Sequence, residues 1–304
     1  MTKANIAVIG GGLMGSGIAQ TFASAGHSVA VHEPSEQVRG GILARVAADL
    51  ELIGGDPDAV HRITITDDIG DAIRDADFIT EAAPERLEVK RAIFAELTAL
   101  VSPHAILASN SSVIPIGRIA QELESADRMV GTHWWNPAPL IPLVEVIQGP
   151  RTSEETVERT MVLLGSIGKT PAHVRKDVPG FVANRLQHAL WREAIAMVAD
   201  GICDARTLDL CVKNSFGLRL PVLGPLENAD MIGLDLTLDI HHTIIPELDR
   251  TAGPNPFLMH HVAAGKLGFK SGEGFCSWTL DEMATLRAAL VRHLAKTQRE
   301  SDKT

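Results

Sequence analysis

The sequence predicts an α/β fold: an N-terminal doubly wound sheet over residues 1–178, followed by an all-α C-terminal domain over residues 179–304. Three observations carry this reading. Short apolar runs alternate with helical patterns through the first part, as in a sheet wrapped by helices. A glycine-rich turn links the first apolar run to the first helical pattern. Beyond Pro179-Gly180 the strand patterns cease and helical ones continue. A chain of 304 residues is long enough for two domains, each with its own core.

The first strand is the apolar run Ile6-Ala-Val-Ile9. It meets Gly10-x-Gly12-x-x-Gly15 and passes into a helical pattern at Ile18. That strand–turn–helix context is what a dinucleotide fingerprint requires. Gly10 allows the tight turn, Gly12 lets the backbone approach a pyrophosphate, and Gly15 lets helix and strand pack closely. The free N–H groups of the helix start then face the phosphates. A ligand-free βα turn can carry the same short motif, so the residues that follow decide. Gly26 stops the helix, Ser28-Val-Ala-Val-His32 forms a second strand, and Glu33 ends it, close to where a carboxylate meets the adenosine ribose hydroxyls. Pro34 and Ser35 follow with no adjacent arginine to receive a 2′-phosphate, which favours NAD over NADP.

Residues 35–54 place Ile42, Val46, Leu50 and Leu52 at helical spacing and read as one helix, closed by Gly54-Gly55-Asp56-Pro57. Residues 62–66 read as a short strand, 71–74 as part of a short helix, and 77–81 as a strand leading into Ala82-Ala-Pro84-Glu85. A charged amphipathic helix follows over 87–100, then strands over 105–108, 129–133 and 143–147. In the second part, residues 181–199 are a run of helix formers; Arg185, His188, Arg192 and Glu193 mark it as a core helix and not a membrane span. Gly224-Pro225 and Gly253-Pro254 break the helices beyond it. Thr279-x-x-Glu282 is a capping box for a last helix with Met283, Leu286, Leu290 and Leu294 on one face, and residues 298–304 read as a disordered tail. An α/β domain followed by a helical one is expected to leave a ligand cleft at the carboxyl ends of the strands.

Composition narrows the function classes. Hydrophobic residues make up 45% and charged residues 22%, the balance of a globular chain without a membrane segment. A formal charge of −10 argues against nucleic acid, which needs a basic stripe. Cys203, Cys211 and Cys276 show no metal spacing and read as reduced thiols of a cytoplasmic protein. The first strand starts so near Met1 that no signal peptide is expected.

The chemistry concentrates at Gly131-Thr-His133-Trp-Trp-Asn136-Pro137, at a strand end. Pro137, Pro139 and Pro142 interrupt the path to a second strand that brings Glu145, and a return of this length can set Glu145 beside His133. A carboxylate against an imidazole fixes the tautomer and stabilises the imidazolium. A general base needs this when it takes a proton from an alcohol as hydride leaves the same carbon; such help is worth about 10²–10⁴ in rate. By spacing alone, Glu145 reads equally well as a surface strand residue.

Over essentially its full length the chain resembles the NAD-dependent 3-hydroxyacyl-CoA dehydrogenase family. The matching stretches are Gly10 to Gly15, Glu81-Ala-Ala-Pro-Glu85 with Lys90, Ser109-Asn-Ser-Ser112, His133-Trp-Trp-Asn136-Pro137 through Leu143-Val-Glu145-Val, Asp177-Val-Pro-Gly-Phe-Val-Ala-Asn184-Arg185, Gly224-Pro225, and Gly268-Phe-Lys270-Ser-Gly-Glu-Gly-Phe275. The resemblance implies a Rossmann domain, a helical domain that forms a homodimer, NAD as cofactor, and a small-molecule substrate, either a hydroxyacyl-CoA or a free hydroxy acid. It makes His133 the general base and Glu145 its orienting partner, and has Ser112 and Asn184 hydrogen-bond the substrate oxygen and the histidine region. It assigns NAD contacts to the fingerprint residues Gly10, Gly11, Gly12, Leu13, Met14 and Gly15, and to Glu33. Glu85, Lys90, Ser112, Asn136 and Lys270 complete that set. Plainer readings stand beside these: Ser112 as a helix cap, Asn184 on an exposed helix face, Glu85 and Lys90 as a helix-face ion pair, and both tryptophans as core.

The chain departs from the acyl-CoA pattern at three places. Trp134-Trp135 stands where acyl-CoA members carry smaller aromatic residues, which makes Trp134 a candidate substrate contact. The segment 33–62 offers Arg39 and Arg45 but no lysine, where acyl-CoA members have a longer, lysine-rich arm on the CoA nucleotide. Phe216-Gly-Leu-Arg219 with Gly224-Pro225-Leu-Glu227 resembles the branch that oxidises free hydroxy acids, such as gulonate and carnitine dehydrogenases; Arg219 would clamp a small carboxylate, or else face solvent. A hydroxymethyl or aldehyde substrate suits the same base. The family also includes a lens crystallin, and a non-catalytic NAD-binding protein of that kind would carry a damaged His–Glu pair.

Overall fold

The structure, a computed structural model, describes residues 3–301. The chain divides into two compact units, residues 1–184 with 291–304, and residues 185–290.

The first unit is built on one eight-stranded sheet in the order β3-β2-β1-β4-β5-β6-β7-β8. Its strands are β1 (Asn5–Ile9), β2 (Ser28–His32), β3 (Ile63–Thr66), β4 (Phe78–Glu81), β5 (Ile106–Ser109), β6 (Met129–Trp134), β7 (Leu143–Ile147) and β8 (Thr170–Val174). The neighbours from β3 to β6 run parallel, β7 is antiparallel to β6, and β8 is parallel to β7. The first six strands thus follow the order of a dinucleotide-binding sheet. Central strands covered on both faces are buried at every position: all four residues of β4 and of β5 are buried, apolar along the strand and polar at Thr80, Glu81 and Ser109 near the carboxyl ends.

The helices of this unit are α1 (Leu13–Ser24), α2 (Glu36–Arg39), α3 (Ile42–Ile53), α4 (Ile69–Ile73), α5 (Leu87–Leu100), α6 (Ile116–Ile119) and α7 (Glu154–Ser166), with the start of α8 (Ala183–Ala199). Alternation along each strand splits the core in two. Ile6 and Val8 of β1 join Phe22 of α1, Val46 of α3 and Leu164 of α7 on one side. Ala7 and Ile9 join Ile73, Phe94 and Ile119 on the other.

Three local features differ from the sequence pattern. The helix expected over 35–54 is two helices, because consecutive glycines at 40 and 41 each cost about 1 kcal/mol relative to alanine in a helix interior. The strand β8 carries Pro171 and lacks a clean alternation; it lies at the sheet edge, where proline is tolerated. The last helix runs through Ser301, further than the composition of the tail suggested, and residues 302–304 lie outside the described residues.

One buried cation ties down the connection between β6 and β7. Lys169 donates to the carbonyls of Ala138 (2.6 Å) and Ile141 (2.9 Å), with a longer contact to Pro139 (3.4 Å), and lies 5.4 Å from the centroid of the Trp134 ring. Burial pulls its ammonium down to about 8, which leaves it charged at neutral pH.

The second unit is helical: the rest of α8, then α9 (Ala205–Lys213), α10 (Pro225–Ile232), α11 (Leu234–Ile244), α12 (Pro256–Ala263) and the first part of α13 (Leu280–Ser301). Thr279 and Glu282 cap α13 reciprocally, through bonds of 2.8 and 3.2 Å. No helix among the described residues is long and apolar enough to cross a membrane.

Lys169→Met fills the same space without the donors and leaves buried carbonyls unpaired. The expected loss is about 1–3 kcal/mol, read as a lower urea midpoint at unchanged slope.

Candidate active site

The glycine turn between β1 and α1 is shaped by close backbone approach. Gly10 has φ +106°, and a Cβ there would stand 2.9 Å from the Ala82 carbonyl oxygen. A Cβ at Gly15 would stand 1.8 Å from the Gly10 carbonyl oxygen, so strand and helix could not meet. Gly12 differs: a Cβ there meets no protein atom within 4 Å, so no packing within the chain requires glycine. As N-cap of α1 it also supplies no side chain to the first N–H groups of the helix. An open cradle of unpaired N–H groups fits a pyrophosphate. Leu13 is exposed beside it, while Met14 is half-buried against the core.

Glu33 accepts the Gly11 N–H (2.8 Å) on one oxygen and the Ser35 N–H (2.9 Å) on the other, which fixes the carboxylate beside the turn. Two arginines also converge here, and sequence spacing had not shown it. Arg45 Nη1 donates to the Gly11 carbonyl (3.2 Å) and to Ser16 Oγ (2.9 Å). Arg39 stands beside Glu33 after all, but it donates to the Glu33 and Pro34 carbonyls and pairs with Asp67 at 3.1 Å.

A second charged group lies at the ends of β4 and β5. Lys90 is fully buried, and its ammonium meets Glu81 at 2.7 and 2.9 Å and Glu85 at 3.2 Å. The pair with Glu85 is therefore no surface ion pair but part of a buried charge cluster. Ser109 Oγ donates to Glu81 (2.6 Å). Glu85 accepts from Ser111 Oγ (2.6 Å) and from the N–H groups of Ser112 (2.9 Å) and Val113 (3.1 Å), so it shapes the loop that presents Ser112. Burial would raise the Glu85 carboxyl, but Ser111, Lys90 and Val113 together hold it below its ordinary value.

The third element is the pair predicted across the proline-rich path. His133 and Glu145 face each other in register on β6 and β7. Nδ1 of His133 lies 2.7 Å from Glu145 Oε2, and both side chains are buried. The other oxygen of Glu145 accepts the N–H groups of Val182 (2.9 Å) and Ala183 (3.0 Å), at the N-terminus of α8. Burial pushes the carboxyl up, but the bonds from His133, Ala183 and Val182 outweigh it and hold Glu145 below its ordinary value. An ionised carboxylate only accepts, so Nδ1 carries a proton, and in the neutral imidazole the lone pair is then on Nε2.

The remaining residues sort by position. Ser112 gives its carbonyl to Asn184 Nδ2 (3.2 Å), which joins the β5 loop to the start of α8. Asn136 is exposed, at a cis peptide bond to Pro137. Trp134 is buried against Phe22, with ring centroids 5.9 Å apart, which makes it a core residue and no substrate contact. Trp135 is the tryptophan beside His133, at 5.3 Å, because side chains alternate along a strand and its extension. Lys270 and Arg219 belong to the second unit; both are exposed, with no side-chain hydrogen bond or ion pair among the described residues. Sequence reasoning missed Phe181, whose ring packs 5.6 Å from His133.

The depressed carboxyls fix a pH signature. Glu145 and Glu85 bind protons less readily when folded than at their ordinary value of 4.5. Their contribution to stability is therefore complete above about pH 4.5 and is lost as pH falls through the folded values. Glu145→Gln should show a flatter fall of urea midpoint than the wild type between about pH 5 and pH 3.

Residues 5–178 match the family model described as "3-hydroxyacyl-CoA dehydrogenase, NAD binding domain", and residues 180–278 match "3-hydroxyacyl-CoA dehydrogenase, C-terminal domain". The chain is 37% identical over 300 residues to the 5-formyl-3-hydroxy-2-methylpyridine 4-carboxylate 5-dehydrogenase of Mesorhizobium japonicum, covering 97% of each chain. It is 36% identical over 279 residues to the 3-hydroxybutyryl-CoA dehydrogenase of Bradyrhizobium diazoefficiens, covering 89% of this chain and 94% of that one. Among solved structures, a 5-formyl-3-hydroxy-2-methylpyridine 4-carboxylic acid 5-dehydrogenase described as an NAD⁺-dependent dismutase superposes with TM-score 0.89 at 35% identity, covering 98% of both chains. The (S)-3-hydroxybutyryl-CoA dehydrogenase of Ralstonia eutropha superposes with TM-score 0.76 at 33% identity, covering 91% of this chain and all of that one. These matches run through both parts of the sequence, and the protein therefore belongs to the 3-hydroxyacyl-CoA dehydrogenase family, as an NAD-dependent oxidoreductase.

Proposed function

We propose that this dehydrogenase oxidises the hydroxyl of a 3-hydroxyacyl-type substrate with His133 as general base. The observation that carries the reading is the buried His133–Glu145 pair, which holds a proton on Nδ1 and leaves Nε2 free to accept another. Bound NAD supplies the hydride acceptor. Nε2 takes the hydroxyl proton, and the imidazolium that forms is stabilised by a carboxylate already fixed beside Nδ1. Ser112 and Asn184, joined to each other, hold the substrate oxygen and the imidazole region in register. Gly10, Gly11, Gly12, Leu13, Met14 and Gly15 receive the pyrophosphate and Glu33 the ribose. Glu85, Asn136 and Lys270 are assigned to the rest of the cofactor, with Lys90 acting behind Glu85. A non-catalytic protein has no use for an intact pair of this kind.

A second reading, of a small free acid or a hydroxymethyl or aldehyde compound in place of a CoA thioester, is favoured by one observation. All three arginines of the segment 33–62 are engaged: Arg39 by Asp67, Arg45 by the glycine turn, and Arg62 by the Ala23 carbonyl and Asp56. A CoA nucleotide is polyanionic and needs free cations. Arg219 remains free to clamp a carboxylate.

We also assign the chain to the cytoplasm as a homodimer. Its three cysteines are free. Among the described residues of the second unit, Ala196 and Met283 are the only buried apolar residues, while Leu234, Leu236, Leu238, Ile240 and Ile244 of α11 are all exposed. An apolar surface of that extent calls for a partner, here a second copy.

Purified enzyme assayed for NADH formation should respond to 3-hydroxybutyryl-CoA or to free 3-hydroxy acids and hydroxymethyl aromatic acids, and much less with NADP. His133→Ala should lower turnover by about 10²–10⁴ while NAD affinity stays within about twofold; unchanged turnover would remove His133 from the chemistry. Light scattering should give the mass of a dimer, and Leu236→Asp with Ile240→Asp should give a monomer; an unaltered mass would move the interface elsewhere.

A further inference from the structure

Phe181 is the one non-glycine residue with positive φ among the described residues, at +50°. An aromatic side chain has no intrinsic reason to adopt that conformation, which belongs to glycine and occasionally asparagine. Gly180 before it is also left-handed, at φ +76°. Two successive left-handed residues turn the chain just before α8, so that the next two N–H groups lie at the helix start. Those groups belong to Val182 and Ala183, and both meet one oxygen of Glu145, at 2.9 and 3.0 Å. The ring of the same Phe181 is fully buried and packs against His133 at 5.6 Å.

We propose that Phe181 is a positioning residue for the reaction, acting through Glu145. Its left-handed backbone aims two N–H groups at Glu145, and its ring backs the imidazole that Glu145 orients. The inference rests on the reading of His133 as base. Strain of this sort persists only where the surroundings over-determine it. Here the surroundings are a buried ring on one side and a buried carboxylate on the other. A glycine at 181 would adopt the turn without strain but would lose the ring. A β-branched residue would resist the turn.

The test separates backbone from ring. Phe181→Gly, Phe181→Val and Ala183→Pro are compared with the wild type, each saturated with NAD. Position 183 opens the helix, where proline is tolerated, so Ala183→Pro deletes one N–H donor without breaking α8. It also keeps the test decisive if Phe181→Val does not fold. The first readout is the titration of the Glu145 carboxyl carbon by NMR, assigned with Glu145→Gln. The second is the downfield imidazole N–H proton of His133, assigned with His133→Asn. Phe181→Val and Ala183→Pro should raise the Glu145 midpoint by about one pH unit and speed exchange of the N–H proton about tenfold. Phe181→Gly should leave the Glu145 midpoint in place. Turnover of 3-hydroxybutyryl-CoA and of 3-hydroxybutyrate, whichever reacts, should fall between about tenfold and about 10²-fold in Phe181→Val and Ala183→Pro, with KM for NAD unchanged. Equal midpoints in Phe181→Gly and Phe181→Val, or an unmoved midpoint in Ala183→Pro, would overturn the proposal. Failure of the base assignment would show separately, as full turnover in His133→Ala.

Discussion

The site depends on one buried negative charge that the fold holds from two sides. Glu145 is removed from water, and an isolated carboxylate there would take up a proton. It stays ionised because the imidazole of His133 occupies one oxygen and two N–H groups at the start of α8 occupy the other. The helix end contributes its own partial positive charge to the same carboxylate. The sheet, the imidazole and the first turn of a 17-residue helix are thus fastened at one point. Removing that charge would leave the helix start uncapped and the imidazole unoriented together.

The same physics recurs where β4 and β5 end. Glu81 is fully buried and would be intolerable without the Lys90 ammonium and the Ser109 hydroxyl. Lys90 also reaches Glu85, and Glu85 binds the loop that carries Ser112. The apolar strands contribute stability along their length, and the charged residues at their carboxyl ends hold the loops. Both clusters lie at the ends where an open α/β sheet presents its ligand sites.

Much of this was legible in the sequence, for identifiable reasons. The run from Asn5 to Gly15 encodes strand, turn and helix within a few residues, and local encoding is what sequence patterns report. The strands that carry His133 and Glu145 were legible as apolar runs, but their pairing was not: spacing left Glu145 equally a surface residue, and only the family resemblance made it the partner. The tryptophans were read by residue type and not by alternation: His133 and Trp135 share one face, and Trp134 takes the other. Arg39 and Arg45 were counted as available cations because their partners, a carbonyl turn and Asp67, lie far along the chain or in the backbone. The left-handed turn at Phe181 has no signature of its own, since nothing local asks an aromatic residue to adopt it.

The reversal of the sheet at β7 has a functional reading of its own. In a parallel pair, a residue and its neighbour are separated by a crossover of a dozen or more residues and usually a helix. The antiparallel step from β6 to β7 instead sets residues 133 and 145 directly opposite, joined by a loop that Lys169 ties down through its carbonyls. Side chains of directly opposed residues lie about 4.5–5.5 Å apart at Cβ, the right reach for an imidazole and a carboxylate to bond side by side. When the imidazole takes a proton, its counter-charge is already in place and needs no reorganisation, which is how a fixed polar environment lowers a barrier. The one change of direction next to the parallel strands therefore coincides with the one place where the chemistry needs two side chains in fixed register.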